Sequence, residues 1–278
     1  MTNCRIVLTQ LSLVAAGLLM AASAQAQNLL EGVQAKKEIV VGTEAQFAPF
    51  EFVQDGKIVG YGPDLMHHVL AGLPGVKVKQ LDVPFQGILP GLATRRFDFI
   101  ITSVSVIKER ADKFAFTIPI ADATTALVRR KTDAALAVPA AVAGKTVGSA
   151  QLKALQAYAA QLKAEGKPAI NIREYVSFDE AYADLAAGRL DAVAQSLANL
   201  ATLVKTRGDT YALVPGPIGP KSYFAWVGRK DADSAPLVAY FNKGIAEAQR
   251  SGKMTELQQK WFGFTMQTPT DKLPEPTM

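Results

Sequence analysis

Leu92-Ala-Thr-Arg-Arg-Phe-Asp98 and Leu185-Ala-Ala-Gly-Arg-Leu-Asp191 are two versions of one phrase. Each closes a helix-like segment, turns, and opens a buried strand, Phe97 to Thr102 in the first case and Leu190 to Gln195 in the second. Five residues after each aspartate stands a serine, Ser103 and Ser196. A helix-turn-strand unit met twice predicts two similar lobes. In open α/β sheets ligands bind outside the carboxyl ends of the strands. Two lobes facing each other would therefore bring Ser103 and Ser196 to one cleft.

The rest of the chain extends this α/β pattern by alternating strand and helix signals. Glu38 to Gly42 and Val76 to Leu81 read as strands. Asp64 to Leu73 reads as a helix with Leu65, Val69, Leu70 and Leu73 on one face and Asp64 as its start signal. Gly87 to Thr94 is helical and Thr124 to Arg130 a strand. Lys145 to Gly148 starts a second unit: helix Leu152 to Ala164, strand Ile170 to Tyr175, helix Phe178 to Ala187. Ser222 to Gly228 then reads as a strand and Ala235 to Ser251 as a long helix. Pro269, Pro274 and Pro276 leave the tail irregular.

The chemistry concentrates after the first phrase. Thr102-Ser103-Val104-Ser105 puts three hydroxyls in four residues, and Lys108-Glu109-Arg110 follows at once. Hydroxyls and backbone N–H groups near a strand end, with an arginine in reach, make a site for a small carboxylate. The guanidinium is planar and permanently charged, and its fork of donors matches two carboxylate oxygens.

Composition narrows the class. Arg5, the apolar stretch Leu11 to Ala22 and the small-x-small triplet Ala24-Gln25-Ala26 read as a secretory signal peptide over residues 1–26. The apolar run is shorter than the roughly 18 residues that a membrane span needs. Cys4, the sole cysteine, lies within that leader. The mature chain then has no disulfide, thiolate nucleophile or cysteine metal ligand. His67 and His68 are adjacent on a helix and so face different sides. No metal and no cofactor is expected. The net charge of +5 is spread in ones and twos and not in a basic run, so it gives a mild field for anionic solutes and no nucleic-acid surface.

Taken together, the motifs resemble a known family: the periplasmic solute-binding proteins of ABC importers, family 3, the polar amino-acid-binding type. The resemblance rests on Val41-Gly-Thr-Glu-Ala-Gln-Phe-Ala-Pro-Phe50, Gly60-Tyr-Gly-Pro-Asp64 and Pro84-Phe-Gln-Gly-Ile-Leu-Pro90. It continues through Phe97-Asp98, Ser103 to Arg110, Leu185 to Asp191 and Lys260-Trp-Phe-Gly263. It implies a two-lobed periplasmic-binding-protein fold with two hinge crossings and a ligand cleft between the lobes. The expected layout is lobe 1 over 38–122, lobe 2 over 123–221, a return to lobe 1 over 222–266 and an irregular tail over 267–278, with crossings near Ala121 to Thr125 and Pro220 to Tyr223. The implied function is a monomeric periplasmic receptor, not an enzyme. It would bind an amino acid or related small carboxylate and deliver it by hinge closure to an ABC permease in the inner membrane. The alternative is a periplasmic cyclohexadienyl (prephenate or arogenate) dehydratase-like enzyme on the same fold.

Residue by residue, the resemblance implies that Arg110 clamps the ligand carboxylate and that Thr102, Ser103 and Ser105 add contacts. Phe47 and Phe85 fall at the walls. Glu44 falls where some relatives carry an Asp that reaches the ligand. Three positions depart from the pattern. Ser196 replaces an Asp that pairs with the ligand ammonium, Leu152 and Lys153 replace a Gly-Ser/Thr-Thr turn, and Ile107 replaces a helix-capping Thr. With both Ser196 and Lys153 facing the ligand, the cleft gains positive charge. That implies a preference for acidic or amine-modified carboxylates over lysine, arginine or histidine; the alternative is that Glu44 or a water takes the place of the Asp and that Lys153 points to solvent.

Overall fold

The computed structural model describes residues 27 to 276; the leader reading over 1–26, with Cys4, lies outside the described residues. The first unit runs α1 (Leu29–Lys36), β1 (Glu38–Thr43), a short antiparallel sheet of β2 (Gln46–Phe47), β3 (Glu51–Gln54) and β4 (Lys57–Val59), then α2 (Tyr61–Leu70), β5 (Lys77–Asp82), α3 (Phe85–Ala93), β6 (Phe99–Ser105), α4 (Lys108–Ala111), β7 (Phe114–Phe116) and β8 (Ala121–Asp122). The second unit runs β9 (Thr125–Arg130), a 3-10 turn (Pro139–Val142), β10 (Thr146–Ser149), α5 (Leu152–Ala164), β11 (Asn171–Glu174), α6 (Phe178–Ala186), β12 (Ala192–Ser196), α7 (Leu197–Arg207) and β13 (Tyr211–Ile218). The chain then closes on the first unit with β14 (Tyr223–Arg229), α8 (Ala235–Arg250) and α9 (Lys253–Phe262).

Each unit has its own sheet. The first is ordered β5-β1-β6-β14-β7, with β8 also on β14, and the second β11-β10-β12-β9-β13. In both, the strand opened by the repeated phrase lies parallel beside the unit's first parallel strand: β6 on β1 and β12 on β10. The aspartate that ends each phrase explains why. Asp98 exchanges hydrogen bonds with Val40 and Asp191 with Thr146, so the turn is clasped to the neighbouring strand. The strand interiors are apolar on both faces, as a parallel sheet covered by helices requires. Phe99, Ile100 and Ile101 are fully buried, and so are Ala192 and Val193.

Two segments join the lobes side by side. Ala121 and Asp122 pair with Phe224 and Tyr223, and the Ala123 N–H donates to the Ser222 carbonyl at 2.9 Å. Lys221 and Asp122 add an ion pair at 3.7 Å. These crossings form a narrow, hydrogen-bonded strap between the two sheets.

The expected α/β elements are present, with shifted ends. Asp64 is not the start of α2. The helix begins at Tyr61, and Asp64 accepts instead from Lys260 Nζ at 2.7 Å and Trp261 Nε1 at 2.8 Å, tying α2 to α9. The strand expected over 97–102 runs Phe99–Ser105, so all three hydroxyls belong to the strand itself.

Candidate functional site

A cavity of about 50 Å³ opens where the carboxyl ends of β6 and β12 meet the hinge strap. It is lined by Ser105, Ile107 and Arg110 from the first lobe, by Gln151 to Ala154, Gln195 and Ser196 from the second, and by Ala123, Thr125 and Ser222 from the crossings. Four of the nine residues expected at the site therefore share one cavity: Ser105, Arg110, Lys153 and Ser196.

Arg110 is positioned by its short helix. Ile107 supplies no side-chain cap, and Arg110 Nη1 donates to the Ser105 carbonyl at 3.2 Å, folding the guanidinium back over the strand end. Phe85 stacks beneath it with its ring centre 5.1 Å away. Burial lowers the Arg110 pKa, with nearby Glu109 opposing that shift. Among the described residues no carboxylate lies within ion-pairing distance of Arg110. A half-buried cation with one carbonyl and one ring for partners favours an anion beside it.

The other expected residues are placed differently. Thr102 and Ser103 point their hydroxyls at Glu51, at 3.2 and 3.0 Å. Both are almost fully buried, so their side chains serve that carboxylate. Glu51 is itself fully buried, and burial holds its pKa well above the ordinary carboxylate range, with nearby Glu44 pushing the same way and the two hydroxyls opposing. Glu44 is pushed up to about 7, first by burial and then by Asp82. Phe47 is buried in an aromatic cluster, 5.5 Å from Phe50 and 6.0 Å from Phe178 of the opposite lobe.

Ser196 caps α7 and bonds to Asn199 through its hydroxyl. Asn199 Nδ2 in turn reaches across the cleft to the Ala48 carbonyl at 2.7 Å. Lys153 pairs with Glu109 at 3.0 Å, which joins the lobes at the exposed rim of the cleft. This pairing corrects the charge argument drawn from sequence. Lys153 already has its anion, so it contributes no uncompensated charge and the premise for an acidic ligand falls.

Several contributors escaped the sequence reading. Gln195 and the crossing residues Thr125 and Ser222 line the cavity without belonging to any charged or hydroxyl-rich run. Glu51 sits directly after the quoted Val41 to Phe50 motif. An acidic residue between Phe50 and Phe52 was a legible sign of a buried carboxylate. Helix α7 also carried signals, with a serine cap followed by Leu197, Leu200, Leu203 and Val204 at helical spacing.

Two α/β lobes, two hinge segments and a lone arginine in the cleft between them define a two-lobed solute receptor. The chain belongs to the bacterial extracellular solute-binding proteins, family 3, whose profile matches residues 39–264. It is 30% identical over 233 residues to the lysine/arginine/ornithine-binding periplasmic protein of Escherichia coli K12, covering 81% of this chain and 88% of that protein. The L-arginine-binding protein of Pseudomonas aeruginosa is 32% identical, with 83% and 90% covered. Among solved structures, a mutant of the arginine-binding protein ArgBP from T. maritima superposes with a TM-score of 0.73 at 29% identity, covering 84% of this chain and 99% of the other. The chain is a substrate-binding receptor of this periplasmic class.

Proposed function

We propose that the ligand is an amino acid held by its α-carboxylate on Arg110, and that the lobes close over it as rigid bodies, 38–122 with 222–266 against 123–221. The observation that carries this reading is the half-buried Arg110 guanidinium, unpaired by any carboxylate among the described residues, in a cavity to which both lobes and both crossings contribute. Ser105 and Gln195 add hydrogen-bonding groups beside it. Relatives whose names specify arginine, lysine or ornithine support an α-amino acid. Both relatives are named for cationic amino acids, and Lys153, the other cation in the cavity lining, is already paired with Glu109. Ligands with neutral or cationic side chains are therefore favoured. The protein acts in the periplasm as a monomer, binds without turnover, and hands its ligand to an inner-membrane permease. Contacts made in both lobes stabilise the closed form by the difference in affinity between closed and open states.

Native mass spectrometry of protein purified from cells identifies the retained ligand, and calorimetry then measures it against Arg110→Ala. Loss of a charge-assisted pair of about 2–5 kcal/mol weakens binding by roughly thirtyfold or more. Arg110→Lys restores it only in part, because a point charge does not reproduce the fork. Unchanged affinity in Arg110→Ala removes the assignment.

A further inference from the structure

Gln195 divides the space between the lobes. One side faces the Arg110 cavity, and the other faces a groove of about 460 Å³ that shares no other residue with it. The first space, about 50 Å³, holds a few waters or a short polar backbone. The second falls within the roughly 300–1,000 Å³ of sites that enclose whole small molecules.

The groove has an aromatic floor and an acidic rim. Phe47 and Phe52 come from the first lobe, Phe178 and Tyr182 from α6 of the second. Asp82, at the end of β5, and Asp179, in the first turn of α6, face it from opposite lobes. Both aspartates are exposed, and among the described residues neither forms an ion pair; no lysine or arginine lines the groove. Local structure accounts for one oxygen of Asp82, which accepts from the Ala45 N–H at 3.0 Å, and for an acid early in α6. It does not account for both carboxylates lining one groove together with Phe47, Phe52, Phe178 and Tyr182. That combination suits a cation with an apolar stem, through charge at the rim and cation–π contact at the floor.

We propose that this groove is a second ligand site, for a small organic cation, separate from the carboxylate cavity. The site exists only when the lobes are together. Its floor is closed by the Phe47–Phe178 contact and by the Asn199 bond to Ala48, each of which spans the cleft. A cation bound there favours the closed form, and by linkage it raises affinity for the ligand at Arg110 by the same factor that this ligand raises affinity for the cation.

Agmatine is the probe, because it carries two cationic groups on an aliphatic stem and no carboxylate for Arg110. Calorimetry should show agmatine binding to the wild-type chain. The Asp82→Asn/Asp179→Asn double variant should bind it about three- to tenfold more weakly, the range for two exposed charge pairs. Arg110→Ala should leave agmatine binding intact. Asparagine keeps the Ala45 acceptor, so the double variant retains its fold, and an unchanged melting temperature checks this. Absence of agmatine binding overturns the proposal. Agmatine binding lost in Arg110→Ala and kept in the double variant also overturns it, by placing the cation in the carboxylate cavity. A double variant that keeps ligand affinity but loses transport, with no agmatine binding in the wild type, makes the groove a permease-docking face instead. The Arg110 reading stands or falls on its own calorimetry, independently of these outcomes.

Discussion

In the first lobe Asp98 accepts from the Val40 N–H at 2.8 Å, and the Thr43 hydroxyl donates to the Ile101 carbonyl at 3.0 Å. In the second, Asp191 accepts from the Thr146 N–H at 2.8 Å, and the Ser149 hydroxyl donates to the Ala194 carbonyl at 2.9 Å. The packing repeats as well. A Cβ on Gly42 would lie 2.7 Å from the Phe97 ring, and one on Gly148 would lie 2.5 Å from Leu190, the residue in the same place of the second phrase. Both strands need glycine there because the residue before the clasping aspartate fills the space. One joint is thus built twice. Beyond it the lobes diverge. After Thr43 comes Glu44, with its raised pKa, and after Ser149 comes Ala150. After β6 comes the helix bearing Arg110, whereas β12 ends in Ser196, already engaged with Asn199. The joint is what folding requires of either lobe. Arg110 and Glu44 follow the joint in the first lobe, and neither has a charged counterpart at the same place in the second.

The difference at Glu44 and Ala150 has the largest expected effect. Glu44 holds a proton up to about pH 7 when folded, against about 4.5 when unfolded. The folded state thus binds more protons between these values, and stability is full below 4.5 and lost as pH rises through 7. The loss is at most about 3 kcal/mol, from 1.36 kcal/mol per pH unit. Glu51, also raised by its burial, acts in the same direction and remains in both proteins. Glu44→Gln should therefore gain stability over wild type as pH goes from 4.5 to 8 in urea titrations. A wild-type-minus-variant difference that stays flat with pH would mean that Glu44 is solvated in the folded protein.

Next come the two clasps. Asp98→Ala and Asp191→Ala each leave a part-buried strand N–H unpaired, which costs about 1–3 kcal/mol. The two losses should match within roughly 0.5 kcal/mol if the joint is shared, and each asparagine variant should recover part of its loss. Chemical denaturation of the four variants decides it, and a large cost in one lobe with none in the other would reduce the echo to a likeness of sequence.

The fold was legible because this joint is local. Helix, turn, aspartate and strand lie within about a dozen residues, and their periodicity is printed in the chain. Arg110 and Ser105 were legible for the same reason, as neighbours along one segment. The contacts that span the cleft were not. Lys153 meets Glu109, Asn199 meets Ala48, and Thr102 and Ser103 turn to Glu51 through folding and not through spacing. A charge count along the chain therefore treated Lys153 as free.

The smallest effect lies at the turn of the phrase. Gly188 takes the left-handed conformation at φ 77°, and its counterpart Arg95 does so at φ 60°. A side chain in that region costs about 1–2 kcal/mol. Arg95 offsets part of this cost by pairing with Asp233 at 3.2 Å and Asp231 at 3.5 Å. The arginine is 61% exposed, so these pairs contribute only about 0–1 kcal/mol and weaken with salt. Arg95→Gly removes both the strain and the pairs, and it also loosens the unfolded chain, which opposes the gain. Its net effect should be within about 1 kcal/mol of zero and should shift toward stabilisation at high salt. Gly188→Arg meets open space, with nothing within 4 Å of its Cβ, but it acquires the strain alone. It should destabilise by about 1 kcal/mol, independently of salt. Denaturant titrations at low and high ionic strength separate the two. Equal effects in both lobes would mean that the ion pairs at Arg95 do nothing to hold the turn.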